Sequence, residues 1–400
     1  MLNEPFLKAI PIIDTLERAG YEAYFVGGCV RDFLLDRNIK DIDIATSALP
    51  EEVQSLFDKV IPTGLKHGTV TVRYGHESYE VTTYRVEQTY SNQRHPDEVQ
   101  FIRHIEEDLK RRDFTMNAFA MNKSSEIIDL FAGKEDIANK IIRTVGNANE
   151  RFKEDPLRMM RAIRFVSQLG FSIERATMHE IIVLKREIET IAIERIKEEM
   201  EQFFKGNHVQ QGWEILIKTR LYEHLPVFKH HKNLINKVPK FLTPFDSFAE
   251  VIAMLHDIDQ NITIEDWTKQ WKCSNKTKNS AKNIYHALVK FKQSGMNPWL
   301  VYQLDKSNFS AFIHLIKLLN IDINLSYHDM IKTYEQLPIK NRHEININGD
   351  DILLLYPNYK RGSWIQKMLS QIEKKIVEGK LQNRKSKLKE WILCHPPEVN

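Results

Sequence analysis

Phe6, Ile10, Ile13 and Leu16 recur at helical spacing and the pattern stops at Gly20, which predicts a helix over 6–19. Residues 21–26 read as a strand, 30–35 as a short helix and 39–45 as a second strand. Pro50 followed by Glu51 and Glu52 has the chemistry of a helix first turn, where proline fits and acids meet the positive end of the dipole. Residues 69–73 and 78–84 predict a hairpin around Tyr74-Gly75-His76-Glu77, and a further short strand pair flanks Asn122-Lys123-Ser124-Ser125. Beyond about residue 146 the strand signals nearly vanish. Helical patterns then run to the C-terminus, broken at Gly170, Gly206, Pro239, Pro244, Pro298, Pro338 and Gly349. The expected architecture is a mixed α/β head on a long all-α remainder, with no short repeat and no low-complexity segment.

Length and composition narrow this picture. A chain of 400 residues is too long for one ordinary core and implies several domains. Hydrophobic content of 42% and charged content of 28% are those of a folded protein. The net charge is only +3, so any surface for a polyanion must be a local stripe. Cys29, Cys273 and Cys394 lie far apart, without paired metal spacing, and read as reduced thiols of a cytoplasmic protein. The first residues lack a basic segment and a long apolar core, so no signal peptide is expected. No apolar run approaches the ~20 residues that span a bilayer, and no membrane partner is expected.

Four stretches carry chemistry. In Phe25-Val26-Gly27-Gly28-Cys29-Val30-Arg31-Asp32 a strand ends in a double glycine. Such a turn admits close backbone approach, free N–H groups at a helix start suit a phosphate, and Arg31 adds a charged donor. On the following strand Asp41 and Asp43 alternate with Ile42 and Ile44, so both carboxylates project to one side. Two adjacent carboxylates repel unless a cation lies between them, and Mg²⁺ takes carboxylate and phosphate oxygens. The plain alternative is two solvated aspartates on an exposed strand. Arg111-Arg112-Asp113-Phe114-Thr115-Met116-Asn117-Ala118 offers two guanidiniums, an acid and an amide for a ribose and phosphates, or else a charged helix end with Arg–Asp pairing. Glu154-Asp155-Pro156-Leu157-Arg158 continues to Arg161 and Arg164. On a helix these would form a ridge ~13 Å long, about the length of a nucleoside triphosphate. A surface helix laced with pairs such as Asp155–Arg158 is the competing reading.

The four stretches stand in one order, and in that order the chain resembles the class II tRNA nucleotidyltransferases, the CCA-adding enzymes of the DNA polymerase beta superfamily, in their bacterial form. The family's Gly-Gly-x-Val-Arg-Asp…Asp-x-Asp motif stands at 27–43, its Arg-Arg-Asp-Phe-Thr-x-Asn-Ala motif at 111–118, its Glu-Asp-x-x-Arg motif at 154–158 and its Glu-Arg-x-x-x-Glu motif at Glu194, Arg195 and Glu199. The first 200 residues match closely and the C-terminal half loosely. The resemblance implies an α+β fold: a polymerase-beta-like palm (mixed sheet with helices) over 1–146, then an all-α neck over 147–205, body over 206–310 and tail over 311–400. It implies that Asp41 and Asp43 are catalytic and hold the metal, with Glu80 a weaker candidate for a third carboxylate. Gly28 and Arg31 would contact the triphosphate. Arg112, with Asp113 and Asn117 near the ribose, would hold the nucleotide. Asp155 and Arg158 would read its base, and Arg161 and Arg164 would complete the pocket. Glu194, Arg195 and Glu199 would brace the neck helices without touching substrate.

Base reading also follows from donor and acceptor chemistry. A carboxylate accepts hydrogen bonds and a guanidinium donates them. Cytosine and adenine each present an amino donor beside a ring-nitrogen acceptor, which matches Asp155 next to Arg158. Uracil and guanine present the reverse. The implied reaction is template-independent addition and repair of the 3′ CCA of tRNA from CTP and ATP, with Mg²⁺ and release of pyrophosphate. Poly(A) synthesis, CC-only or A-only addition, and an inactive RNA-binding protein on the same scaffold are the alternatives. Residues 89–96 resemble the family's loop linked to the switch from C to A addition, which CC-only enzymes are expected to lack. Asn-Gln-Arg-His-Pro stands there where relatives often have Asp-x-Arg-Arg-Pro. The tail is richest in base: Lys374, Lys375, Lys380, Arg384, Lys385, Lys387 and Lys389, interleaved with Leu381, Leu388 and Trp391. That pattern suits tRNA phosphates and a solvated amphipathic helix equally. His256-Asp257 is read as a helix end, and a homodimer is left open.

Overall fold

The computed structural model describes residues 2–88 and 98–397. The expected loop at 89–96 lies outside the described residues. The chain forms two units, Met1–Ile235 and Asn236–Asn400.

The first unit starts with α1 (Glu4–Arg18), β1 (Ala23–Val26), α2 (Gly28–Leu34), β2 (Asp43–Thr46), α3 (Pro50–Leu56) and β3 (Val60–Gly64). It continues with β4 (Thr69–Tyr74), β5 (Glu77–Thr83), β6 (Arg85–Gln88), β7 (Glu98–Phe101), α4 (Ile105–Lys110), β8 (Phe119–Met121), β9 (Ile127–Asp129), α5 (Gly133–Ala138) and β10 (Ile141–Ile142). Seven strands form one mixed sheet in the order β3-β4-β5-β2-β1-β8-β9. Its one parallel pairing, β2 with β5, sets Asp43 beside Glu80 and Ala45 beside Thr82. α1 lays Phe6, Ile12, Ile13 and Leu16 against Phe25, Ile44, Val70, Val81 and Phe119 of the sheet, all of them fully buried. On the other face Val26, Ala45 and Ala120 form a second buried cluster with Tyr84, Ile105 and Leu109, and by the period-two alternation Asp43 and Glu80 share that face.

The helical part of the unit contains α6 (Ala148–Glu154), α7 (Leu157–Leu169), α8 (Arg175–Leu184), α9 (Ile193–Phe204) and α10 (Val209–Thr219). A short strand, β11 (Ser172–Ile173), pairs in parallel with β10 and ties the end of the head to the turn after α7. Met159, Met160, Ile163 and Val166 are fully buried, so α7 is a core helix whose charged side chains leave from one remaining face.

Two expectations change, and three strands are added. The strand expected over 39–45 starts only at Asp43, so Asp41 lies ahead of it, exposed. Ile42 and Ile44 are nonetheless buried, which keeps the alternation. Asp155 does not stand on the arginine helix. It is the extended residue between α6 and α7, because Pro156 disfavours a helical residue before it. Its carboxylate accepts the Leu157 N–H at 3.1 Å, an orphan donor of the next helix. The strands β3, β6 and β7 had no clear sequence signal: Val60–Gly64 is an exposed edge with Pro62 inside it.

The second unit is helical. Helices at Phe248–Ile258, Asn275–Ser294 and Tyr327–Gln336 begin with the side-chain caps Ser247, Ser274 and Ser326. Trp267 and Trp271 are fully buried in it. His256 and Asp257 end a helix as expected, His256 on the Ile262 carbonyl at 2.8 Å and Asp257 on Lys292 at 2.6 Å. Near the C-terminus Leu388 and Ile392 are fully buried, while Lys374, Lys380, Lys385 and Lys387 sit in surface ion pairs. No residue of the candidate site lies in this unit.

Candidate active site

Between β1 and α2 the chain must reverse, and Gly27 does so at a φ of 74°. A side chain there would be strained and would also collide with Arg112, whose Nη1 lies 2.9 Å from where a Cβ would stand. Arg31, on the first turns of α2, chelates Asp32 through Nε and Nη2 and donates to Asn117 Oδ1 at 2.8 Å. The glycine turn, Arg31, Arg112 and Asn117 thus meet at the end of β1, between β2 and β8 of the sheet.

They border a cavity of about 760 Å³, walled on one side by Gly28, Asp43, Glu80 and Thr82 of the sheet and on the other by Asp155, Arg158, Arg161, Arg164 and Arg195. All the expected site residues line it except Asp41. Asp41 is close enough that its charge still acts on Asp43. Burial first, then Glu80 beside it, push the Asp43 carboxyl up to about 6, with Arg112 opposing and Asp41 adding to the rise. Glu80, expected only as a weaker candidate, is therefore the carboxylate nearest to Asp43 in effect. Beneath them the Cys29 thiol is pushed up to about 12 by burial and stays protonated.

The opposite wall has a different electrostatic state. Asp113 is 9% exposed, and burial alone would raise its pKa. Arg161, donating at 2.6 and 2.9 Å, and Asn117 at 3.0 Å outweigh burial and hold it well below the usual carboxylate range. Burial also opposes the charge on Arg161, yet Asp113 and Glu199 raise its pKa. Arg164 is lowered by burial, against the pull of Glu199 at 2.5 Å. The ring of Phe165 lies under three guanidiniums, Arg164 at 4.0 Å, Arg31 at 5.2 Å and Arg161 at 5.7 Å. Phe165 directly follows Arg164 in sequence, and only the geometry marks it.

Asp155 and Arg158 do not pair with each other. Arg158 binds Glu154 at 2.7 Å, the Arg151 carbonyl at 3.2 Å and the Arg111 carbonyl at 3.0 Å. Asp155 takes Arg195 at 2.8 Å, so Arg195, expected as a remote brace, reaches the cavity wall. Glu199 braces as expected, holding Arg161 and Arg164. Arg111 and Arg112 both pair with buried Asp108, one turn earlier, and not with Asp113. The spacing of three and four on α4 and its end explains that pairing.

Among the described residues no three His, Cys, Asp or Glu side chains form a complete metal cage. Two or three carboxylates on one strand pair, crowded enough to raise one pKa, still fit a hard divalent cation that keeps open positions for phosphate oxygens and water.

A mixed sheet carrying carboxylates beside a glycine turn, faced by an arginine-lined helix, defines a nucleotidyltransferase of the polymerase-beta kind. A family model described as "Poly A polymerase head domain" matches residues 23–143, and one described as a tRNA nucleotidyltransferase domain 2 matches 244–392. The chain is 46% identical over 401 residues to the CCA-adding enzyme of Oceanobacillus iheyensis, with 100% of each covered. It is 42% identical over 404 residues to that of Anoxybacillus flavithermus, again with 100% of each covered. The solved CCA-adding enzyme of Bacillus stearothermophilus in complex with CTP superposes with a TM-score of 0.88 at 35% identity over 98% of both chains. This chain belongs to the CCA-adding tRNA nucleotidyltransferase family. The Thermotoga maritima CCA-adding enzyme complexed with tRNA, at 22% identity and a TM-score of 0.61 over 99% of this chain and 97% of that one, shares the fold.

Proposed function

We propose that this protein adds and repairs the 3′-terminal CCA of tRNA from CTP and ATP without a nucleic-acid template, releasing pyrophosphate. The observation that carries this is the single cavity in which a carboxylate-bearing sheet faces the Asp155–Arg158 junction. Gly28, Arg31 and Arg112 border the place for a triphosphate, and the amide and acid of Asn117 and Asp113 stand beside it. Asp41 and Asp43, with Glu80 alongside, would hold Mg²⁺, which supplies charge stabilisation at the reacting phosphate. The residues do the rest: they hold the nucleotide, exclude water and present the base to a fixed acceptor and donor. The bonds that Arg158 makes within the protein occupy three of its five N–H groups, so donors remain for a base. Arg195 and the Leu157 N–H hold the two oxygens of the Asp155 carboxylate, which fixes the acceptor that a base would meet. Arg161, Arg164 and Phe165 complete the wall.

This reading divides the chain into head 1–146, neck 147–205, body 206–310 and tail 311–400, with the border of the two compact units inside the proposed body. The tail takes tRNA by shape and phosphate contact. Among the described residues no helix is long and apolar enough to cross a membrane, and a cytoplasmic location belongs to the same proposal. The test offers tRNA ending before CCA, in C and in CC, with each nucleotide singly and Mg²⁺. The expected result is two C and one A and then arrest. Long A tails select poly(A) synthesis, a stop after CC selects the CC-only activity, and no addition selects a binding protein.

A further inference from the structure

Across the sheet the order of strands is β1, β2, β5, β4. The glycine turn follows β1, Asp43 opens β2, Glu80 lies on β5, and the next position on that face of β5 is Thr82. Thr82 pairs in register with Thr69 on β4, and their hydroxyls are 3.0 Å apart. Both line the cavity, both are half-buried, and His67, on the short turn 65–67 before β4, lines it next to them. Arg85 donates to the His67 carbonyl and anchors that turn. Asp43, on β2, therefore stands between two different subsites, with Glu80 on the strand that also carries Thr82. One holds cations and glycines, and the other, about two strand spacings or ~10 Å away, holds neutral hydroxyls.

Phosphoryl transfer places the attacking and leaving oxygens roughly in line through phosphorus. If pyrophosphate leaves the α-phosphorus on the glycine and arginine side, the 3′ hydroxyl that bonds to that phosphorus arrives from the opposite side of Asp43, which is the threonine side. Two hydroxyls bonded to each other use one proton between them and keep one outward donor as well as lone pairs. A ribose 2′ hydroxyl needs a donor and an acceptor side by side, and it distinguishes RNA from DNA.

We infer that the Thr69–Thr82 hydroxyl pair seats the ribose of the tRNA's 3′-terminal nucleotide through its 2′ hydroxyl and so selects an RNA end for extension. This rests on the function proposed above. The assay uses the full-length protein, ATP, Mg²⁺ and tRNA ending in CC, its last residue carrying either ribose or 2′-deoxyribose with the 3′ hydroxyl intact. Wild type prefers the ribose end by about tenfold in kcat/KM, the worth of one well-made hydrogen bond. Thr69→Val with Thr82→Val keeps β-branched shape and loses both hydroxyls. That double variant accepts the two ends within about twofold, with its KM for ATP unchanged, while Thr69→Ser with Thr82→Ser restores the preference. Equal use of both ends by wild type, or an undiminished preference in the valine variant, overturns the inference while leaving CCA addition intact. A loss that appears in the KM for ATP and not at the tRNA end also overturns it. No addition by wild type on either end is the failure of the proposed function itself.

Discussion

On the sheet side of the cavity Asp43 has a carboxylate neighbour at the next strand, and its pKa is pushed up to about 6. On the helical side Asp113 is more deeply buried, and yet its pKa is held low by Arg161 and Asn117. The two residues are the same amino acid in one cavity, so the difference lies in what folding supplies. The neck arginines neutralise the acids on their side of the cavity: Arg161 takes Asp113, which the head presents, Arg164 takes Glu199, and Arg195 takes Asp155. The sheet leaves Asp43 and Glu80 crowded, with Arg112 opposing. One wall is complete on folding, and the other is made for a cation and a phosphate that arrive from outside.

The largest effect separates these roles in catalysis. Asp43→Asn removes a carboxylate that has no internal substitute and lowers kcat by about 10³-fold or more, since charge stabilisation at the reacting phosphate is worth several kcal/mol. Single-turnover addition of A to tRNA ending in CC measures it. If that variant retains a tenth of the rate, the sheet wall is not the catalytic one. Next comes the wall that reads. Asp155→Ala leaves Arg195 without its acceptor and takes from the base the carboxylate beside Arg158. Rejection of UTP and GTP rests on mismatched buried polar groups at ~1–3 kcal/mol each. The variant therefore loses about 10²-fold in selectivity while metal dependence stays as in wild type. Unchanged selectivity in competition between CTP and UTP assigns base choice to other residues.

The comparison also explains what could be read from the chain alone. The glycine turn, Asp43, the two arginine motifs and the sheet-plus-helix division were legible because each is a local pattern: a double glycine after a strand, alternation, or charges at helical spacing. Partner choice was not. Arg158 could be placed in the site, but Glu154 as its partner and Arg195 as that of Asp155 depend on where Pro156 stops one helix and starts the next. Phe165 carries no polar signal, and three guanidiniums from two elements converge on it only after α2 meets α7. Glu80 stood on a strand with no motif around it. Its place beside Asp43 is a matter of register between strands distant in sequence, which no single strand encodes.

Stability probes the walls in opposite directions. Asp113→Ala strands Arg161 and removes the acceptor of Asn117. Breaking a buried pair costs about 3–5 kcal/mol, and because the Arg161 side chain is 33% exposed the expectation here is about 2–3 kcal/mol. Urea denaturation of the metal-free protein reads it as a lower midpoint. A change below about 0.5 kcal/mol makes the neck pairs ordinary surface contacts and removes the contrast between the walls.

For Asp43 the same measurement has the opposite sign. Its folded value of about 6 lies above its ordinary value of 3.8, so the unfolded chain ionises first as pH rises. Between pH 4 and 6 the unfolded state then holds fewer protons at this residue than the folded state, and stability from Asp43 falls across that window and is level above it. Near pH 3 both states are largely protonated and Asp43→Asn changes little. At pH 7 the variant is freed of a carboxylate that burial and Glu80 disfavour, and it gains about 1–3 kcal/mol over wild type. The difference between the two proteins, measured with a chelator present at pH 4.5, 5.5 and 7, isolates this residue from every other group that titrates. Mg²⁺ in the same experiment stabilises wild type and not the variant, because only the ionised carboxylate takes the cation. A variant less stable than wild type at pH 7 without metal means that Asp43 is satisfied by the protein itself, and the sheet wall would then be as complete on folding as the helical one.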